Sequence, residues 1–322
     1  MNHKTWLSGL ALILTTTVGS LAAAAPLSLI VPFPPGGPAD ASARMLQPGL
    51  SETLQDVVVV ENYGGAGGSI GTARMLAQPA DGQTTLLATV AEPILAPLVL
   101  QGVKYDPSDL RLISPLSHSE LALVARADFP IDTIEALVEA ARGEPGTFTY
   151  ATPGNGSLFH LVGEHFEMLT DTELVHVPYR GFAPAINDLL GRQVDLSFVP
   201  LAGNVLDLAK SGKIKVIGTL GKSAPPGLPG TPTLRTFEPL ADFGHTVWTG
   251  IFVRQDMPAE LQQRLHRAVD VAIRTAKFQD FIRETGGIPL PQADSLEDSQ
   301  AFYEAETGKL QDIARRIGLQ PE

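Results

Sequence analysis

The chain has 322 residues, with 23 Lys and Arg against 35 Asp and Glu, a net charge of 23 − 35 = −12, and no cysteine. Those values exclude disulfides, thiol catalysis and Cys-ligated metals. They also make nucleic acid and anionic membrane surfaces poor partners, because both are negatively charged.

The first segment, MNHKTWLSGLALILTTTVGSLAAAAP, carries Lys4, then an uncharged apolar run from Trp6 to Val18, then the small residues Ala22 to Ala25. That order is expected of a secretory signal peptide. Cleavage after Ala24 is expected and leaves 322 − 24 = 298 residues with a net charge of −13. The alternative, a membrane anchor, is disfavoured because the run falls short of the ~20 residues that span a bilayer. The mature chain is therefore expected to be soluble and exported, and its length suits two domains of roughly 100–200 residues each.

Short apolar runs then alternate with helical periods. The predicted strands are 27–33, 57–62, 84–90, 120–125, 147–152, 174–177, 194–199, 214–219 and 248–253. Several are almost continuously apolar, as strands buried on both faces are. Between them, Ile134, Leu137, Val138 and Ala141 share one helical face, and Leu158, Leu161, Val162, Phe166 and Leu169 share another. This alternation predicts an α/β fold with mostly parallel sheets. SAPPGLPGTPT, residues 223–233, reads as a surface loop. The tail is helical: Leu261, Leu265, Val269, Ala272 and Ala276 recur after Pro258, and SLED from Ser295 resembles a capping box with Asp in place of Glu.

One internal echo stands out. LSLIVPFPPGGPADASARML and TFTYATPGNGSLFHLVGEHF are both strand, Pro/Gly loop, helix. The first N–H groups of a helix lack intrahelical partners, and the helix dipole places partial positive charge there. Glycines just before that point let an anion approach the backbone. Gly36, Gly37 and the helix after Pro38 form one expected anion site; Gly154, Asn155, Gly156 and Ser157 form a second. Neither loop has the P-loop pattern or a Lys or Arg at the contact point. A carboxylate, which neutral donors satisfy, is therefore favoured over phosphate. The plainer alternative is a pair of ordinary βα turns, and the matching of two loops weighs against it.

VPFPPGGPADASAR, VVVVENYGGAGGSIGTARMLAQPADG, KYDPSDLRLISPL, YATPGNGSLFHLVGE, VHVPYRGFAPAINDLLGRQVDLSF and SGKIKVIGTLGKSAPPGLPGTPT, in this order, resemble the Bug family, the extracytoplasmic solute receptors of tripartite tricarboxylate transporters. The resemblance runs from about Leu27 to the C-terminal helices. It implies a type II-like periplasmic binding protein: a signal peptide over 1–24, one lobe from 25–126 and 245–322, a second from 127–244, and a ligand cleft between them. It implies a carboxylate held by Phe33, Gly36, Gly37, Ala39 and Asp40 on one side and by Thr152, Gly154, Asn155, Gly156 and Ser157 on the other, with Tyr179 and Gly181 facing the cleft. Asp40 need not touch the ligand, since an acid in a first helical turn often just caps the helix. The implied partners are the ligand and membrane permease subunits; a monomer without cofactor or metal is expected, and no enzyme.

Three departures from the family pattern stand out. Ala39 stands where Thr is common, Val90–Pro93 replace small polar residues, and Pro200 replaces an acid or amide. Glu92 is expected either to reach the cleft, favouring a ligand with an amine or amide end, or to lie solvated at its rim. Three lookalikes carry less weight. GGSIG matches the hydrolase elbow with Ser69 as nucleophile and Asp242 with His245 or His266 as partners, but too few strands precede it. The same run misses the dinucleotide pattern at Ile70. His160, Glu164 and His165 could suggest a metal, but the two histidines diverge around a helix, and His160 is expected to bond locally. A sensory receptor for the same ligand class remains the alternative to transport.

Overall fold

The computed structural model describes residues 26–225, 227–290 and 295–319. The expected signal peptide, residues 1–24, lies outside the described residues. In chain order the elements are β1 (Leu27–Val31), α1 (Pro38–Leu54), β2 (Val58–Asn62), α2 (Ser69–Leu76), β3 (Thr84–Thr89), α3 (Ala96–Val99), β4 (Leu110–Arg126), α4 (Ile134–Gly143), β5 (Thr149–Thr152) and α5 (Leu158–Thr170). There follow β6 (Val175–Pro178), α6 (Phe182–Leu190), β7 (Leu196–Pro200), α7 (Gly203–Lys210), β8 (Ile214–Thr219), β9 (Thr246–Arg254), α8 (Ala259–Ile273), α9 (Ala276–Glu284), β10 (Ile288–Pro289) and α10 (Leu296–Arg316).

The strands join in the order β2-β1-β3-β9-β4-β7-β5-β6, with β8 and β10 also on β4. The outer pairs, β1 with β2 and β3 and β5 with β6 and β7, are parallel, as buried βαβ units require. The pairs through β4 and β9 are antiparallel. The sheet is therefore mixed. β4 is the joint of a two-lobe fold: Leu110–Glu120 pairs with β9, and Leu121–Arg126 pairs with β7 and β8.

The sequence reading found only 120–125 of this strand. Its first half carries Pro115, which has no N–H to give, and the register slips on either side of it. Those slips destroy the alternation by which a strand is recognised. The other predicted strands agree with the structure to within two residues at each end.

Three buried clusters hold the layers together. α1 and α8 cover one face of the first lobe's sheet through Leu46, Leu50, Val269 and Ala272. They cross closely because Gly49 has no side chain: a Cβ there would lie 2.9 Å from the Ala272 Cβ. Ala185, Ile186, Leu189 and Val205 cover one face of the second lobe. The largest cluster runs across both lobes and includes Trp248, Phe252, Phe243, Phe198 and Phe166. The predicted face of α4 is buried in full. At the start of α10, the Ser295 Oγ accepts from the Asp298 N–H and donates to the Asp298 carboxylate, so the expected pair forms through the hydroxyl and not as a full capping box.

Candidate functional site

β1 and β5 are both inner strands of parallel ladders, and each runs from its carboxyl end through a Pro/Gly loop into a helix. This is the edge at which open α/β sheets bind ligands.

In the first loop, Gly37 caps α1 with extended backbone, Pro38 takes the first helical position, and no side chain caps the helix. The Asp40 Oδ2 accepts the Gly36 N–H at 2.9 Å and the Arg44 Nε–H at 3.0 Å. Arg44, then the Gly36 N–H, hold the Asp40 carboxyl down at about 2. This corrects one expectation: the Gly36 amide is spent on Asp40. Gly36 is glycine because its φ is +87°, a left-handed turn. The amides of Gly37, Ala39 and Asp40 meet no acceptor among the described residues, and Arg44 offsets the Asp40 charge beside them. Phe33 and Ala39 are half-buried on the α1–α8 cluster. The Phe33 carbonyl accepts from Asn62 Nδ2 at 3.1 Å. Both side chains frame the loop and present no donor.

In the second loop, Ser157 caps α5: its Oγ accepts the His160 N–H at 3.2 Å and donates to the Gly154 carbonyl at 2.7 Å. The Gly154 N–H goes to Thr152 Oγ1 at 3.3 Å and the Gly156 N–H to His160 Nδ1 at 3.1 Å. The Ser157 N–H goes to the Gly154 carbonyl at 3.3 Å. The hydroxyl and the glycine amides expected to meet a ligand directly are thus engaged within the loop, which they hold in shape. Asn155 stands exposed at its tip. The Leu158 and Phe159 amides open the first turn of α5, where intrahelical partners end.

The Tyr179 and Gly181 segment packs beside this loop. Tyr179 N–H bonds the Thr152 carbonyl and Gly181 N–H the Pro153 carbonyl, each at 3.0 Å. The Tyr179 hydroxyl is 2.6 Å from Asp188 Oδ2. Burial, with Asp188 next, pushes it up to about 12. That phenol serves Asp188. From α3, Val99 lies against the loop: a Cβ on Gly156 would come within 2.6 Å of the Val99 Cβ.

Glu92 does not stand where either expectation put it. It is fully buried at the C-terminal end of β3. Its Oε2 accepts the Thr89 N–H at 2.7 Å and the Thr89 hydroxyl at 2.8 Å, while Oε1 has no partner among the described residues. Burial raises its carboxyl from 4.5 to about 7. The glycine-rich turn closes over it, since a Cβ on Gly68 would collide with the Glu92 side chain. Two further glycines of that turn, Gly64 and Gly71, seat it on the first loop. A Cβ at Gly64 would lie 2.9 Å from the Pro34 Cδ, and one at Gly71 2.8 Å from the Pro32 Cα. GGSIG is thus a packing element. The histidines considered for Ser69 are committed elsewhere: His245 Nε2 lies 2.9 Å from His165 Nδ1, and His266 Nδ1 2.8 Å from the Ile113 carbonyl. Among the described residues no three His, Asp or Glu gather as a metal site. A groove of about 650 Å³ is lined by Ser69, Ile70, Ala73, Leu100, Lys104 and Tyr105, none of them a residue of either loop.

The sequence reading placed the two loops but missed what supports the second: His176, Tyr150 and Glu164 behind His160. A signal existed. His160 follows Gly156 by four residues, as Asp40 follows Gly36.

Comparison with known proteins bears on the same architecture. The family model described as the tripartite tricarboxylate transporter family receptor matches residues 42–319, which includes the second loop and begins just after the first. The BugT protein of Bordetella pertussis is 31% identical over 271 residues, 83% of this chain and 82% of its own. The solved periplasmic binding protein BugD is 30% identical with a TM-score of 0.77, covering 92% of this chain and 99% of that one. R. palustris Rpa4515, solved with adipate, is 27% identical with a TM-score of 0.79, covering 92% and 98%. Family match, curated relative and solved folds agree, and the chain belongs to the tripartite tricarboxylate transporter family of receptors.

Proposed function

We propose that this protein is a periplasmic receptor that captures a small carboxylate between its two loops and passes it to the membrane subunits of a tripartite transporter. The observation that carries the reading is the pairing itself: one stapled Pro/Gly loop opens a helix in each lobe, at the same edge of its sheet. The amides of Gly37, Ala39 and Asp40 meet one end of the ligand, and the tip of the second loop with the first turn of α5 meets the other. Thr152, Gly154, Gly156, Ser157, Tyr179 and Gly181 shape the second loop. The lobes comprise 25–126 with 245–322, and 127–244, and the working unit is a monomer. Relatedness to a protein solved with adipate makes dicarboxylates the first class to test. Hinge closure brings the two helix starts onto one ligand.

The test is a thermal-shift panel on protein unfolded and refolded free of ligand, with mono-, di- and tricarboxylates, amino acids and aromatic carboxylates. A ligand at ~100 times its Kd adds roughly 2.7 kcal/mol of stability. Gly37→Val is the control, because a Cβ there meets only the Pro34 carbonyl oxygen at 3.9 Å and the backbone needs no left-handed turn. A carboxylate shift lost in that variant supports the reading. Full refolding with no carboxylate shift overturns it.

A further inference from the structure

The two loops are built alike, with one chemical difference. In each, a glycine amide is held by a side chain four residues on. Gly36 is held by Asp40, a carboxylate that stays charged down to about 2. Gly156 is held by the His160 imidazole. An amide N–H only donates, so His160 Nδ1 must carry its lone pair, and the ring proton sits on Nε2. Nε2 faces the Glu164 Oε1 at 3.5 Å.

The ring is fixed from behind. His160 stacks on His176 with centroids 4.1 Å apart and planes 8° apart, and His176 stacks on Tyr150 at 4.9 Å. The Tyr150 hydroxyl returns to Glu164 Oε1 at 2.9 Å. His176 Nε2 lies 2.7 Å from the Thr152 Oγ1 that accepts the Gly154 N–H. Both glycine amides of the loop therefore rest on one imidazole stack. Glu164 and Glu167 face His160 from its own helix, His176 from β6 and Tyr150 from β5, while the α3 side chain against Gly156 is the apolar Val99. His160 is the leading influence holding the Glu164 carboxyl below its usual range.

We propose that His160 is a titratable positioning residue: its neutral imidazole holds the second loop in its capture shape, and its protonation releases that loop. Protonation places an N–H on Nδ1, so that two donors face each other and the Gly156 bond is lost. The first loop has no such release. The consequence for ligand rests on the second loop being a carboxylate site, so the test is made to read loop and ligand separately.

Ligand-free protein carrying 15N-labelled His and Gly is titrated by NMR. The expected result is an Nε2–H tautomer for His160 at high pH, and a Gly156 amide whose shift and exchange protection change with the His160 midpoint. His160→Asn, whose Oδ1 replaces the Nδ1 acceptor without titrating, keeps Gly156 protected and removes the pH step. His160→Phe loses protection at every pH. An Nδ1–H tautomer, or a Gly156 amide indifferent to the His160 titration, overturns the proposal. Adipate affinity is measured on the same samples, with His160→Asn correcting for titration of adipate itself. The expected loss is about tenfold per pH unit below the midpoint, as the competent fraction falls. An affinity that stays flat or rises on acidification, relative to His160→Asn, overturns the release. If adipate and the rest of the carboxylate panel bind at no pH, the receptor reading fails, and the NMR result alone decides His160.

Discussion

At the scale of residues, the two informative acids are Asp40 and Glu92; burial pushes both carboxyls up, but at Asp40 the partners outweigh it and at Glu92 they do not. Asp40 is paired with Arg44 and a backbone amide, so its charged form is the stable one. Its contribution is present above the ordinary carboxylate range and is lost as pH falls toward about 2. Asp40→Ala should lower stability by about 1–3 kcal/mol, the cost of deleting a charged hydrogen-bond partner. Because the Gly36 turn loosens with it, carboxylate binding should weaken as well; chemical denaturation and calorimetry check the two effects. Glu92 is the reverse case. Its folded carboxyl titrates near 7 instead of 4.5, so folding favours the protonated form and stability falls as pH rises through that window. In Glu92→Gln this loss is absent. The stability of the variant relative to wild type should therefore grow by about 3 kcal/mol from pH 4.5 to 7, at 1.36 kcal/mol per pKa unit. A constant difference across that range would show that Glu92 is ionised in the folded protein.

At the scale of elements, glycines decide how closely loops and helices approach. Gly71→Ala would drive a Cβ to 2.8 Å from the Pro32 Cα, and backbone cannot yield as a side-chain tip can. A loss of about 1–3 kcal/mol is expected, typical of overpacking, and a lowered melting temperature measures it. Gly156→Ala should act on function more than on fold. It combines a φ of +68° with a clash against Val99 from α3. Because Val99 already lies against the second loop, Gly156→Ala should lose more affinity than Gly156→Ala with Val99→Ala, and a binding titration of both separates clash from strain. These contacts were not legible in the sequence. GGAGGSIG carries weak likenesses to an elbow and a dinucleotide loop beside its reading as a turn, and the contacts it makes stay hidden because a glycine's purpose is set by the atom that approaches it. The first half of β4 was missed for a related reason: Pro115 and two register slips break the period while the pairing with β9 continues.

At the scale of the molecule, titrating groups in different places oppose one another. The His165 and His245 pair is buried and held neutral; burial lowers His165 to about 4 and drives His245 well down. Lowered histidines give stability that is full above the ordinary 6.5 and is lost as pH falls. Glu92 and Glu167, both raised to about 7, give stability that is lost as pH rises. The two slopes overlap between about 4.5 and 6.5, so denaturation of the wild type should show little pH dependence there. Glu92→Gln should expose a rise of stability with pH across that range, and failure of the rise would remove the histidine pair as the opposing influence.

The sequence by itself determined the α/β class, nearly every strand, the two matching loops and the family, because all of these follow from local pattern: apolar period, Pro and Gly placement, and motif order. The tertiary structure alone decided which donors those loops still offer. Gly36, Gly154, Gly156 and the Ser157 hydroxyl looked available in the sequence and are bound by Asp40, Thr152, His160 and the Gly154 carbonyl. Glu92, placed at the cleft or its rim, is sealed beneath a glycine turn. A donor is free only after every nearby acceptor has been counted, and that count requires the chain to be folded.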